Sequence, residues 1–202
     1  MRAADSGARL LLYVKIWEGE EMHEEVLSVF ASRLSHVPSC GVLTSEAYDS
    51  LLFESEMTAA LDLCLSLLGR GGASRLQLVQ KMCKRGIKKE IAARAVLELF
   101  ESGYGNETAG ALREAQRALL KLWGNRRILA HVRAKGYDGA ALLAVRELLS
   151  GEDSASRCEQ LIKRRYGAVP SDEHARERLI AALVRYGYTV REIKQAFARI
   201  NQ

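Results

Sequence analysis

Apolar positions recur in one arrangement three times along the chain. Leu78, Val79 and Met82 precede Gly86 and Ile87; Ile128, Leu129 and Val132 precede Gly136 and Tyr137; Leu179, Ile180 and Leu183 precede Gly187 and Tyr188. In each copy two adjacent apolar residues sit eight and seven positions before the glycine, a third sits four before it, and an apolar residue follows it. That spacing puts the apolar side chains on one face of a helix. The glycine then takes the left-handed conformation that closes a helix, open to glycine at no steric cost. The glycines are 50 and 51 residues apart. This is the period of a repeated supersecondary unit, and such units bury their cores between neighbours.

Extending the pattern predicts nine short helices in three units of three. The first unit takes 57–68, 75–85 and 88–102, the second 107–122, 125–135 and 139–149, and the third 153–166, 171–186 and 189–200. Ser74 is the expected cap of the second helix. Thr189, with Glu192 three residues on, has the spacing of a capping box. Ahead of the repeats, Leu10 to Trp17 alternates as a strand and Glu18 to Glu20 makes a turn. Residues 22–30 fit a returning strand or the start of a helix equally well. Pro38 to Gly41 breaks the chain, and Thr44 or Ser45 caps a helix running to Ser55. The expected architecture is all-α: three tandem three-helix repeats in an elongated curved array, behind a small N-terminal extension with a strand or hairpin. The boundaries are 1–56 for the extension, then 57–105, 106–151 and 152–202.

Composition supports helix, with only two prolines in 202 residues. Leu10 to Trp17 is too short to span a membrane and is interrupted by Lys15, and the N-terminus lacks the layout of a secretory signal. A cytoplasmic protein is expected. Cys40, Cys64, Cys83 and Cys158 form no close pair, so neither a disulfide framework nor a zinc site is indicated. Cys64 and Cys83 fall at core spacing.

Charge is more informative. Residues 1–56 carry four Lys/Arg against ten Asp/Glu, a net of −6; residues 57–202 carry 26 against 15, a net of +11. The helical part suits a polyanion or an acidic protein surface, or equally a set of solvated helix faces, and an acidic extension of this charge could shield a basic face in the free protein. No phosphate-binding loop, nucleophile elbow or zinc-protease motif is present. Gly69 to Gly72 lacks both the spacing and the preceding strand of a phosphate loop. No catalytic residue, cofactor or metal is expected. Basic residues flank the repeat glycines, and aromatic residues lie beside them. Arg126, Arg127, Arg133, Lys135, Arg164, Arg165 and Arg185 are the candidate partner- or DNA-binding residues. Tyr137 and Tyr188, at the position after the glycine, are expected core anchors. Trp123 is open to either role, and Tyr186 is expected to be the more exposed.

In order and spacing, SRLQLVQKMCKRGI (Ser74 to Ile87), GYGNE (Gly103 to Glu107), WGNRRILAHVRAKGY (Trp123 to Tyr137) and RLIAALVRYGYTVREIKQAF (Arg178 to Phe197) resemble the RecX family, regulators of the bacterial recombinase RecA. The resemblance runs from about Tyr13 to Ile200. It departs from the family pattern at Asn106 and Glu107, where two aspartates are usual, and at Asn125, which stands where the family usually has proline. The resemblance implies a three-repeat helical protein that binds along the groove of the RecA filament on single-stranded DNA. It would there inhibit, or otherwise modulate, ATP hydrolysis, strand exchange and coprotease activity in recombination and the SOS response. The expected partners are the RecA filament and single- or double-stranded DNA, with no membrane, for a chain acting as a monomer. The alternative is a DNA-binding module of helix–turn–helix type without a recombinase partner.

Overall fold

The computed structural model describes residues 8–36, 38–69 and 73–201. The expected loose tail at 1–9 lies mostly outside them. The chain divides into two compact units. One holds residues up to 69 together with 78–105, and the other holds 73–77 together with 106–201.

The first unit opens on an antiparallel hairpin, β1 (Arg9–Glu18) and β2 (Glu21–Phe30), paired from Arg9↔Phe30 to Glu18↔Glu21. Gly19, at φ +66°, supplies the tight turn. The structure thus decides the ambiguous stretch 22–30 as strand. Leu27 and Val29, two residues apart, are buried together on one face. The outer edge of β2 is closed by side chains of α1 (Ser45–Gly69): the N–H groups of Ser28 and Phe30 donate to Ser55 Oγ and Thr58 Oγ1, each at 3.1 Å. Helix α1 is continuous for 25 residues, where the sequence suggested a break near Ser55. No glycine or proline lies between Ser45 and Leu68 to stop it, and its start is capped by Thr44 Oγ1, which accepts from Ala47 N–H at 3.2 Å. Met57, Ala60, Leu61 and Cys64 of α1 and Ile91, Ala95 and Leu99 of α3 (Lys89–Glu101) build the core. Arg33 ties the end of the hairpin to both helices, pairing with Glu54 and donating to both carboxylate oxygens of Glu98 at 2.7 and 2.9 Å. Between the two helices, α2 spans Arg75–Cys83.

The second unit contains two three-helix clusters. One packs α4 (Glu107–Leu120), α5 (Asn125–Ala134) and α6 (Gly139–Ser150) around Ile128, Val132, Val145 and the fully buried Tyr137. The other packs α7 (Ser154–Tyr166), α8 (Glu173–Arg185) and α9 (Val190–Ile200) around Ile162, Leu183, Ile193 and the fully buried Tyr188. Among the described residues there are therefore nine α-helices, one short 3-10 helix (Ala31–Arg33) and one hairpin. The capping box at Thr189 and Glu192 forms as expected. Both tyrosines are the core anchors that their place after the glycine suggested, and burial pushes both phenols up, so they stay neutral. Cys64 and Cys158 are buried thiols, pushed up to about 11 and about 12 by burial, whereas Cys83 is half-buried and Cys40 exposed.

One local joint occurs twice in this unit. Gly136 (φ +84°) and Gly187 (φ +95°) each lie against the start of an upstream helix. A Cβ on Gly136 would come within 2.7 Å of Leu76 Cβ, and one on Gly187 within 2.5 Å of Arg127 Cβ. Ser74 caps α2, accepting from Gln77 N–H at 3.2 Å, and its hydroxyl donates to the Lys135 carbonyl. At the second joint the N–H groups of Gly124 and Arg126 donate to the carbonyls of Tyr186 (2.8 Å) and Gly187 (3.2 Å). Gly86, at φ +89°, has nothing within 4 Å of the space a Cβ would fill.

Two outcomes follow from these contacts. Gly86→Ala is expected to cost only the left-handed strain of an L-residue, roughly 1–2 kcal/mol. Gly187→Ala adds a backbone collision and should lower the unfolding midpoint by at least twice as much in matched thermal melts. Equal losses would show that the joint does not carry load. Glu114 of α4 is the second case. Burial pushes its carboxyl up, but the hydrogen bond from Lys135 and the charges of Lys135, Arg117 and His131 outweigh that and hold it below the usual carboxylate range. The stability it contributes is present above the unfolded value near pH 4.5 and is lost as pH falls through the lower folded value. Glu114→Gln should therefore destabilise at pH 7, and the gap from wild type should close on acidification, as followed by denaturant titrations at several pH values.

Candidate functional site

The site is built on the loop between α4 and α5. Leu122 has φ +55° without being glycine, so the loop is held in a conformation that its neighbours must enforce. They do so from the α7–α9 cluster. The Tyr188 hydroxyl donates to the Leu122 carbonyl at 2.8 Å, and Arg157 Nε donates to the Trp123 carbonyl at 3.0 Å. Arg157 Nη2 donates to Asn125 Oδ1. A Cβ on Gly124 would lie 2.2 Å from the Gly187 carbonyl carbon, so only glycine fits this approach. The first N–H groups of α5, which no intrahelical carbonyl can satisfy, are covered by the α8–α9 turn.

This clamp carries a ladder of cations and rings. The Arg127 guanidinium lies 4.1 Å from the Trp123 ring centroid and 5.3 Å from that of Tyr186. Arg165 takes Tyr186 at 5.3 Å and donates to its hydroxyl. Lys121 lies 5.3 Å from the Trp123 ring, and His131 meets that ring edge-on at 5.2 Å. Such contacts hold flexible cations in place at ~0.5–1 kcal/mol each where partly exposed. They also occupy the aromatic faces. Trp123 is engaged within the protein, and Tyr186, half-buried, is more exposed than the buried Tyr137 and Tyr188, as expected, with its ring serving two arginines.

Of the seven candidates, four gather at this clamp. Arg127 and Arg165 share the Tyr186 ring, Arg126 is anchored by its backbone to Gly187, and Arg185 precedes Tyr186 at the end of α8. Arg126 and Arg133 are both exposed and lie seven residues apart. That spacing puts them on one stripe of α5, ~10 Å apart along its axis. Among the described residues neither Arg126, Arg133, Arg164 nor Arg185 has a carboxylate partner. Arg164 instead lines a groove between α4 and α7. Lys135 differs, since its ammonium pairs with Glu114 at 2.6 Å. His131 also faces Glu114, at 3.6 Å.

Sequence reasoning missed Arg157. It is 6% exposed, and its nearest carboxylate is Glu152 at 3.7 Å. A signal was present. Arg157 falls three after Ser154 and four before Leu161, inside the apolar stripe of its helix, where a guanidinium survives only if it is paired. Among the described residues no group of three or more His, Cys, Asp or Glu is placed to hold a metal, and no helix is long and apolar enough to cross a membrane.

No family model matches the chain. It is similar to the regulatory protein RecX of Stenotrophomonas maltophilia strain K279a, 32% identical over 133 residues, which cover 65% of this chain and 81% of that protein. The regulatory protein RecX of Mycobacterium leprae strain Br4923 is 34% identical over 135 residues, covering 63% and 77%. A crystal structure of regulatory protein RecX shares the fold, with a TM-score of 0.70 at 15% identity over 92% of this chain and 98% of that one. Clustered hairpin and helices, the twice-built glycine joint and a relative matched over four-fifths of its length agree: the chain belongs to the RecX family of regulatory proteins.

Proposed function

We propose that this protein regulates the bacterial recombinase RecA, mainly as an inhibitor. It binds along the groove of the RecA filament on single-stranded DNA and restrains ATP hydrolysis, strand exchange and coprotease activity. Recombination and the SOS response are the processes it tempers. Membership of the RecX family supports the partner. The carrying observation is the clamped group of arginines, Arg126, Arg127, Arg165 and Arg185, with Arg133 in line along α5. These are rigidly based cations without internal counter-charges, suited to acidic protein surface or phosphate. Lys135 is held back by Glu114, and Arg164 serves from the neighbouring groove. The aromatic rings are already covered by cations, so the face reads charge and does not offer itself for base stacking. A general DNA-binding module is the second reading, and it rests on the same arginines.

Titration into RecA hydrolysing ATP on single-stranded DNA separates the two. Inhibition at well below one molecule per RecA is expected. An unchanged rate with salt-sensitive DNA binding retained would favour the general module. The combined substitution Arg126→Glu, Arg133→Glu and Arg185→Glu changes three exposed side chains. It should weaken filament binding by roughly tenfold or more while leaving helicity and the melting temperature in place. Unchanged affinity in a sedimentation assay would remove this face from the interface.

A further inference from the structure

Helices α4 and α5 meet along a seam of basic side chains. On α4, Arg117 follows Glu114 by three residues, and Lys121 closes the helix four residues later. On α5, Arg127, His131 and Lys135 recur at steps of four and share one stripe. Contacts join the two sets. Lys121, Arg127 and His131 meet the Trp123 ring. Arg117 at 3.3 Å, His131 at 3.6 Å and Lys135 at 2.6 Å meet the Glu114 carboxylate. The Glu114 side chain is 13% exposed, against 60% for Arg117, 31% for His131 and 29% for Lys135. The acid thus lies at the bottom of the seam, with the basic groups above it.

Glutamine would fill nearly the same volume at 114 and still accept a hydrogen bond from Lys135. The charge does something further: it draws three basic groups toward one internal anion. Lys135 turns to α4, whereas Arg126 and Arg133 of the neighbouring helix face are exposed and have no carboxylate partner among the described residues. Affinity for a nucleic acid grows with the number of cations free to displace its counter-ions. A lysine already neutralised inside the protein adds nothing to that number until it is released.

We propose that Glu114 is a specificity-determining residue of the basic surface: it holds Lys135 away from phosphate, so that bare DNA gains no contact from the α4–α5 seam. The inference rests on the reading that this surface meets a partner's anions. A phosphate backbone offers such a surface chiefly charge, so each cation held internally lowers affinity for any stretch of DNA. A protein partner also offers shaped apolar and hydrogen-bonding contact and keeps more of its affinity. One buried carboxylate therefore sets bare DNA at a disadvantage without touching either partner.

A double-mutant cycle on a labelled oligothymidylate, with no RecA present, tests this. At ~50 mM salt Glu114→Gln should bind roughly five- to tenfold more tightly than wild type, and its salt slope should steepen by about 0.7, that of one more phosphate contact. The same change lowers stability at pH 7, so tighter binding should accompany a lower melting temperature, which general damage to the fold would not produce. Lys135→Met should weaken binding at least about threefold more in the Glu114→Gln background than in the wild-type one. Asp138→Asn removes an exposed charge near the same helix end and should change affinity by less than about twofold. Lys135→Met in the wild-type background should also cost less than Arg133→Met, a comparison that stands even where Glu114→Gln fails to fold. A Glu114→Gln chain that binds no tighter than wild type overturns the proposal. So does an equal gain in Asp138→Asn, a gain that survives Lys135→Met, or a Lys135→Met loss as large as that of Arg133→Met. Failure of the regulatory reading shows separately, as RecA ATP hydrolysis left unchanged by the wild-type chain.

Discussion

Much of the second unit depends on a backbone turn that only glycine makes comfortably. At Gly136 and Gly187 the chain passes through positive φ at a helix end, and the start of an upstream helix lies against the bare Cα. Two needs are met at one place. The helix that ends acquires its left-handed cap. The helix that begins has unpaired N–H groups or a capping hydroxyl near carbonyls that need donors: Gly124 and Arg126 use their N–H groups, and Ser74 uses its hydroxyl. A buried joint of polar backbone is stable only when such groups are paired. The residue after each glycine, Tyr137 or Tyr188, then turns inward as the largest side chain of its cluster.

The basic face inherits its rigidity from this joint. Arginine on a free helix surface samples many rotamers, and holding it still costs entropy. Here Arg127 is pinned between two rings and Arg165 is held on Tyr186, while Arg126 is held at its backbone, its N–H donating to Gly187. The cost of ordering these side chains is met on folding, before any partner arrives, so less is lost on binding. Lys135 shows the contrast. It belongs to the same helix end, but Glu114 neutralises it, and a partner would have to compete with an internal carboxylate.

The repeat was legible because its signals are local. An adjacent apolar pair, a third apolar residue and a glycine fix a helix face and its end, and apart from the first, whose start lies far upstream at Ser45, the observed helices of the repeats begin and end within about two residues of the expected ones. Strand β2 was not legible, because residues 22–30 are compatible with either period until β1 supplies the pairing. The break near Ser55 was expected from the repeat phase, yet the local sequence contains nothing to stop a helix. At the site, the cations could be read one by one, but their grouping could not. Arg127 and Arg165 are 38 positions apart and meet only through Tyr186. Arg157 was overlooked because arginine on a helix reads as surface unless its phase is checked against the apolar stripe.

Asn125 gains a meaning here that the sequence alone did not give it. Proline, usual in the resembled pattern at this position, suits the first turn of a helix, where an N–H has no intrahelical partner. Asparagine gives up that preorganisation but brings an acceptor. Its Oδ1 takes Arg157 Nη2, and the Trp123 carbonyl takes Nε. A guanidinium buried to this degree must find acceptors, because leaving its donors unpaired costs more than the pair gains. One of its groups, Nη1, is already without one. Proline at 125 would remove a second acceptor and leave Arg157 with the Trp123 carbonyl as its remaining hydrogen bond and Glu152 at 3.7 Å as its only nearby carboxylate among the described residues. The departure at 125 and the buried arginine at 157 are therefore best understood together. The helix start is fixed here by a cross-cluster hydrogen bond in place of a rigid ring, and the same bond helps hold the loop that carries Trp123 and Arg127.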